Sequence, residues 1–268
     1  MSSRWVNSSG CRSEESSHSV DRRRPNRIAT PERAAQQTIA DRSELLTRGL
    51  DRIGLQLTPA QREAFDIYLS ELRRWASQIN LTGLRSEEAI IREGFLRSLA
   101  HRAAFEPAPS VKAIDVGSGA GFPGLVLKMG YPDIEIVLLE PRRKRAAFLR
   151  STIRRLELTG VRCIQARVEA LYGDAEHQGR YAVAFARAVG PVADVARMIK
   201  PLLTPGGRLI VQAGQEARDS LPSLRPLLAA LGMRAEIREG PAPDEGSPPT
   251  YLLVIERTDS VEEMMADS

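Results

Sequence analysis

From Val111 onward the chain alternates short β-type runs with helical stretches, and its first strand opens directly into a glycine-rich turn. That pattern is what constrains the fold most, because strands separated by helices pack as a parallel sheet with crossover helices on its faces. Strands are predicted at Val111 to Val116, Glu135 to Leu139, Arg162 to Gln165, Val183 to Ala186 and Arg208 to Gln212. Helices are predicted at Gly124 to Met129, Arg142 to Glu157, Val192 to Leu202 and about Ser220 to Leu231. The end of the chain differs. Met233 to Arg238 and Tyr251 to Glu256 read as strands joined by a Gly/Pro-rich turn too short for a helix, so they should run antiparallel.

Ahead of the alternating region, residues 41 to 110 read as helical. The clearest start is Thr58-Pro59-Ala60-Gln61, in which Thr58 caps, Pro59 suits the first turn and Gln61 completes a capping box. Phe65, Leu69, Leu72, Ala76 and Ile79 then recur at spacings of three and four, one face of a packing helix. Trp75 beside that stripe reads as a boundary residue against a neighbouring helix. Residues 1 to 40 are rich in Ser, Arg, Glu and Gln without apolar periodicity and read as a disordered tail. Residues 258 to 268 form a short C-terminal tail after the last strand.

Lysine and arginine total 38 against 34 acidic residues, a net charge of +4, and the excess is carried by arginine, since the lysines are only Lys112, Lys128, Lys144 and Lys200. Arginine forks suit phosphate, although a GC-rich genome gives the same bias without any binding role. Cys11 and Cys163 are too far apart and too few for a disulfide framework or a cysteine metal site. No run approaches about 18 apolar residues, and no apolar leader follows the first basic residues. A cytoplasmic protein without a metal site or membrane span is expected, and nothing calls for an obligate protein partner.

The turn reads Asp115-Val116-Gly117-Ser118-Gly119-Ala120-Gly121-Phe122-Pro123-Gly124. Glycines let the backbone turn sharply and let a ligand lie against it. A dinucleotide fingerprint needs its third glycine where Phe122 stands, which disfavours a nicotinamide-dependent oxidoreductase. The pattern Asp-x-Gly-x-Gly-x-Gly instead resembles the first motif of class I methyltransferases. A nucleoside cofactor also needs a carboxylate at the end of the next strand to accept both ribose hydroxyls, and Glu140 stands there. Glu140 either serves the ribose or caps the helix that follows.

Further segments narrow the resemblance: Asn80-Leu81-Thr82, Gly121-Phe122-Pro123-Gly124, Ala166-Arg167-Val168-Glu169, Ala186-Arg187-Ala188 and Leu203-Thr204-Pro205-Gly206-Gly207. With them the chain resembles the ribosomal RNA small subunit methyltransferase G family, also called glucose-inhibited division protein B, from about Leu45 to Arg257. The resemblance implies a Rossmann-like α/β fold with a mostly parallel seven-stranded sheet and an N-terminal helical extension. It implies transfer of a methyl group from S-adenosylmethionine to N7 of a guanine in 16S rRNA of the small ribosomal subunit.

By motif, Gly117, Gly119 and Phe122 would line the cofactor, Val168 and Glu169 would sit at its adenine, and Arg187 would reach the active site as the catalytic residue. Against these stand plainer roles, an exposed loop carboxylate for Glu169 and a structural ion pair for Arg187. The chain departs from the family at Gly94 and Arg97, where many members have a His-x-x-Asp-Ser segment, and at Gln212, where they have lysine. Both departures bear on how RNA is placed. A methyltransferase for another RNA or a small molecule, and a non-catalytic RNA-binding relative, are the alternative readings. Guanine N7 carries a lone pair and no proton, so no general base is required, and His18, His101 and His177 receive no role. Arg85, Arg92 and Arg142 to Arg145 are candidates for phosphate contact.

Overall fold

In the computed structural model, which describes residues 31–187 and 189–258, the alternating region forms one seven-stranded sheet in the order β3-β2-β1-β4-β5-β7-β6. The strands are β1 (Lys112–Val116), β2 (Glu135–Leu139), β3 (Val161–Ile164), β4 (Tyr181–Ala186), β5 (Leu203–Ala213), β6 (Met233–Gly240) and β7 (Thr250–Arg257). Pairs among β1 to β5 are parallel, and β7 runs antiparallel to both β5 and β6. The expected hairpin is thus present, with β7 inserted between β5 and β6. Strand β5 starts earlier than its sequence suggested. Thr204-Pro205-Gly206-Gly207 reads as a turn, yet Leu203 already pairs with Tyr181 across an irregularity in the β4–β5 ladder, as Pro and Gly in strands commonly mark.

Helix α2 (Pro59–Ala76) has the predicted capping box, with Thr58 and Gln61 bonding reciprocally. Its buried face comprises Phe65, Tyr68, Leu69 and Leu72, while Ala76 is exposed. Trp75 packs edge-on against Phe148, ring centroids 5.8 Å apart, the boundary role expected of it. Helix α1 (Pro31–Ile53) corrects the tail boundary, because residues 31–40 are helical. Glu, Arg, Ala and Gln there are strong helix formers without a periodic face, and the helix extends back from the packed segment around Leu45, Leu46 and Leu50. The rest of the expected tail and the last ten residues lie outside the described ones.

Between α2 and the sheet runs a helical stretch of uneven pitch: α3 (Glu87–Ala89), a π-helical turn (Ile90–Leu96), α4 (Arg97–Leu99) and a 3-10 turn (Ala100–Ala103). After β1 come α5 (Gly124–Gly130), α6 (Arg143–Arg155), α7 (Val192–Ile199) and α8 (Ala217–Ala229). One core lies on each face of the sheet. The first joins Leu50, Phe65, Phe95 and Leu99 of the N-terminal helices to Ala113, Ile136 and Phe185 of the strands. The second packs Ile114, Val137 and Ala184 under α7 and α8. Among the described residues no helix is long and apolar enough to cross a membrane.

Candidate active site

Four of the singled-out segments emerge at the same edge of the sheet, since parallel strands end together. Gly117 follows β1, Glu140 follows β2, Val168 follows β3 by a short link, and Arg187 follows β4. Register ties them closely, with Val116 paired to Leu139 on one side and to Ala186 on the other.

The glycine turn is pinned by backbone bonds from Gly117 and Ser118 to Leu139 O at 2.8 and 3.1 Å. Gly117, Gly119 and Gly121 have φ of 76°, 54° and 91°, the left-handed region that side chains resist. A Cβ on Gly119 would meet nothing nearer than 3.7 Å. The atoms at that distance are Arg145 Nη1 and Gly117 O, ordinary contacts that crowd nothing. Glu140, only 2% exposed, accepts from Gly119 N at 2.9 Å through Oε2 and from Arg142 N at 2.8 Å through Oε1. The carboxylate ties the turn to the residue before α6, and each oxygen retains a lone pair for a further donor.

Phe122 is placed differently from its motif reading. Its ring lies in an aromatic cluster, 6.0 Å from Tyr68 and 6.3 Å from Phe95 between centroids, directly over Gly94. The side chain is a core group, and only the Phe122 backbone remains to line a ligand. Val168 is buried in the second core and Glu169 beside it is exposed. Val168 shares that core with Val116 at the end of β1.

Arg187 is half-buried, and its Nη1 donates to Glu93 O at 3.0 Å. Glu93 belongs to the π-helical turn, in which the Arg97 amide donates to Arg92 O, five residues back, instead of to Glu93 O. Arg97 in turn bonds the Glu93 carboxylate, Nε to Oε2 at 2.7 Å. Burial lowers the Arg187 pKa, with Glu93 and Asp115 opposing that shift, and a guanidinium remains charged regardless. Glu93, Arg97, Arg187, Gln212 and Tyr251 border a cleft of about 450 Å³. The two family departures at Arg97 and Gln212 thus face one space with Arg187.

Sequence reasoning missed Asp115 and Glu93. Asp115 is fully buried; its Oδ2 accepts from Gly124 N at 3.1 Å, and burial raises its pKa to about 7. Its place at the head of the glycine motif was the available signal. Glu93 had none.

The model of the family described as rRNA small subunit methyltransferase G matches residues 61–237. The chain belongs to that family. A Ribosomal RNA small subunit methyltransferase G from Roseiflexus sp. (strain RS-1) is 40% identical over 202 residues, covering 75% of this chain and 86% of the relative. That of Geobacter metallireducens is 32% identical, covering 81% of this chain and 97% of the relative. Among solved structures, M. jannaschii TYW2 in complex with AdoMet aligns with TM-score 0.46 at 15% identity, over 68% of this chain and 78% of that one. Membership in the methyltransferase G family makes this chain an S-adenosylmethionine-dependent methyltransferase.

Proposed function

We propose that this protein methylates N7 of a guanine in 16S rRNA of the small ribosomal subunit, in the cytoplasm where that RNA is found. The observation that carries the reading is the juxtaposition of the glycine turn and Arg187 on adjacent strand ends, Val116 being paired with Ala186. The residues present suit the cofactor. Gly119 has no side chain of its own to cover the turn against an adenosyl group, Glu140 offers its remaining lone pairs to the ribose hydroxyls, and the Val168–Glu169 segment lies one strand further, on the adenine side. When bound, S-adenosylmethionine supplies the methyl group on a sulfonium.

Arg187 is the group we assign to the acceptor base. It orients the guanine through an acceptor atom and takes no proton, in keeping with a nucleophile that has none to lose. Holding nucleophile and methyl carbon at attack distance is worth about 7 to 11 kcal/mol where the geometry is good. Arg142, Arg143 and Lys144 favour an RNA substrate. They are exposed at the start of α6, whose first turn contains no acidic residue, and cations there oppose the helix dipole unless anions face them. Phosphates meet that need.

The test is methyl transfer by purified protein to 16S rRNA in small-subunit particles from a strain deleted for the gene, with the site mapped by mass spectrometry. A single N7-methylguanine in 16S rRNA is expected; its absence, with transfer to another RNA or none, overturns the proposal.

A further inference from the structure

Across the carboxyl edge of the sheet, three consecutive strands present their next residues in register. Val116 pairs with Ala186 and Ala186 with Val211, so Gly117, Arg187 and Gln212 stand side by side in that order. Neighbouring strands are about 4.8 Å apart, so the row is about 10 Å long and leaves room for one purine edge between side chains reaching in from it. Gly117 belongs to the cofactor turn. Arg187 and Gln212 both border the cleft of about 450 Å³.

The hydrogen-bonding state of this row is unusual. Gln212 Oε1 is buried without any partner. Arg187 spends one bond on Glu93 O, and no bond to a described residue involves its other N–H groups. Glu93 cannot readily serve as the missing acceptor, because Arg97 holds its carboxylate. Arg97 also donates to Pro249 O and Thr250 Oγ1, at 3.3 and 3.4 Å. Arg187 thus has uncommitted donors beside the cleft, and Gln212, one strand farther from the cofactor, borders the same cleft with a buried oxygen that lacks a partner.

We propose that Gln212 selects guanine over adenine, its Oε1 accepting from the N1–H and N2-amine edge of the base while Arg187 donates to O6. The assignment rests on the function proposed above. Around a guanine the groups N7, O6 and N1–H follow one another, an acceptor to be methylated, an acceptor and a donor. Along the sheet edge the cofactor turn, Arg187 and Gln212 follow one another as methyl source, donor and acceptor. Adenine reverses the last two, with an amine at position 6 facing the guanidinium and a bare N1 lone pair facing Oε1. A buried acceptor left unmatched costs binding, which is how a hydrogen-bonding site rejects the wrong base. A neutral amide suits this position because it accepts without drawing Arg187 into an ion pair.

The test uses small-subunit particles from the deletion strain and the full-length protein. Gln212→Leu should lower kcat/KM at least tenfold, with the affinity for S-adenosylmethionine and the melting temperature within error of wild type. Replacing the target guanine by inosine, which lacks the N2 amine, should slow the wild type but add little to the loss in Gln212→Leu. Should Gln212→Leu fail to fold, Gln212→Met keeps the side-chain length and carries the same expectation. A folded Gln212→Leu or Gln212→Met variant with wild-type kcat/KM overturns the assignment, as does an inosine effect that adds fully to it. Failure of the wild type itself to methylate the particle overturns the underlying function instead, so the two failures are distinguishable.

Discussion

Replacing Gly94 by alanine should destabilise the protein even though alanine is the better helix former. A Cβ at position 94 would lie 2.7 Å from Phe122 Cζ and 3.0 Å from Cε1. The ring has little room to retreat, since it packs on Phe95 and Tyr68, which are 1% and 0% exposed. Overpacking of this kind costs about 1 to 3 kcal/mol, and exchanging glycine for alanine in a helix returns about 1 kcal/mol. With rigid aromatic neighbours the net loss should be about 1 to 2 kcal/mol, lowering Tm by about 2 to 8 °C for a domain of this size. Urea and thermal unfolding of Gly94→Ala, Phe122→Leu and the double variant measure it. Leucine lacks the colliding ring tip, so the double variant should cost less than the sum of the single ones. A Gly94→Ala protein as stable as wild type, or strict additivity, would refute the contact argument.

Glu140→Ala should weaken S-adenosylmethionine binding in calorimetry and lower stability as well, because the Gly119 and Arg142 amides lose their acceptor at about 1 to 3 kcal/mol each; unchanged affinity removes Glu140 from the site. Arg187→Ala should reduce methyl transfer more than tenfold, about 1.4 kcal/mol of barrier, in a folded protein, with Arg187→Lys restoring only part, since an ammonium does not reproduce a fork; a fully active variant refutes the role. Stability against pH is expected to be flat between about 4 and 6.5 from two opposed groups. Burial raises Asp115 from 3.8 to about 7, so the folded chain keeps a proton that the unfolded chain releases, and this group's contribution falls as pH rises. Burial lowers His101 from 6.5 to about 4, so the unfolded chain takes up a proton that the folded chain refuses, and its contribution falls as pH drops. Asp115→Asn should therefore expose a loss of stability below pH 6.5 in denaturant titrations, and a profile that stays flat would contradict it.

The sheet was legible because each signal was local. Alternating apolar runs, a glycine turn after β1 and a carboxylate after β2 lie within a few dozen residues of one another. What the sequence concealed depends on side-chain direction or on distant partners. Spacing places Phe122 in the turn but cannot say that its ring points toward Gly94 and away from the ligand side. Ile90, Ile91, Phe95, Leu96 and Leu99 are all buried, a pattern that fits an α-helix as well as the π-helical turn actually formed. Arg187 finds its anchor 94 residues earlier in the chain, and the carbonyl it uses is indistinguishable by sequence from any other. The departure at Gly94 looked like a lost polar group; in the fold it is the residue small enough to admit the Phe122 ring.

The π-helical turn explains how the N-terminal helices reach the candidate active site, although the sequence reads them as an extension. An α-helical register would direct the Arg97 amide to Glu93 O. With one extra residue in the turn that amide reaches Arg92 O, and Glu93 O accepts Arg187. The adjacent residue, Gly94, receives Phe122 from the glycine turn. Two neighbouring residues of a single turn therefore hold Arg187 and brace the glycine loop, the kind of use to which π-bulges are often put. The same turn carries Phe95 and Leu96 into the core shared with Ile136 and Phe185. Any movement of these helices relative to the sheet would have to break that core, while the pairing of Val116 with Ala186 fixes how far Arg187 stands from the glycine turn.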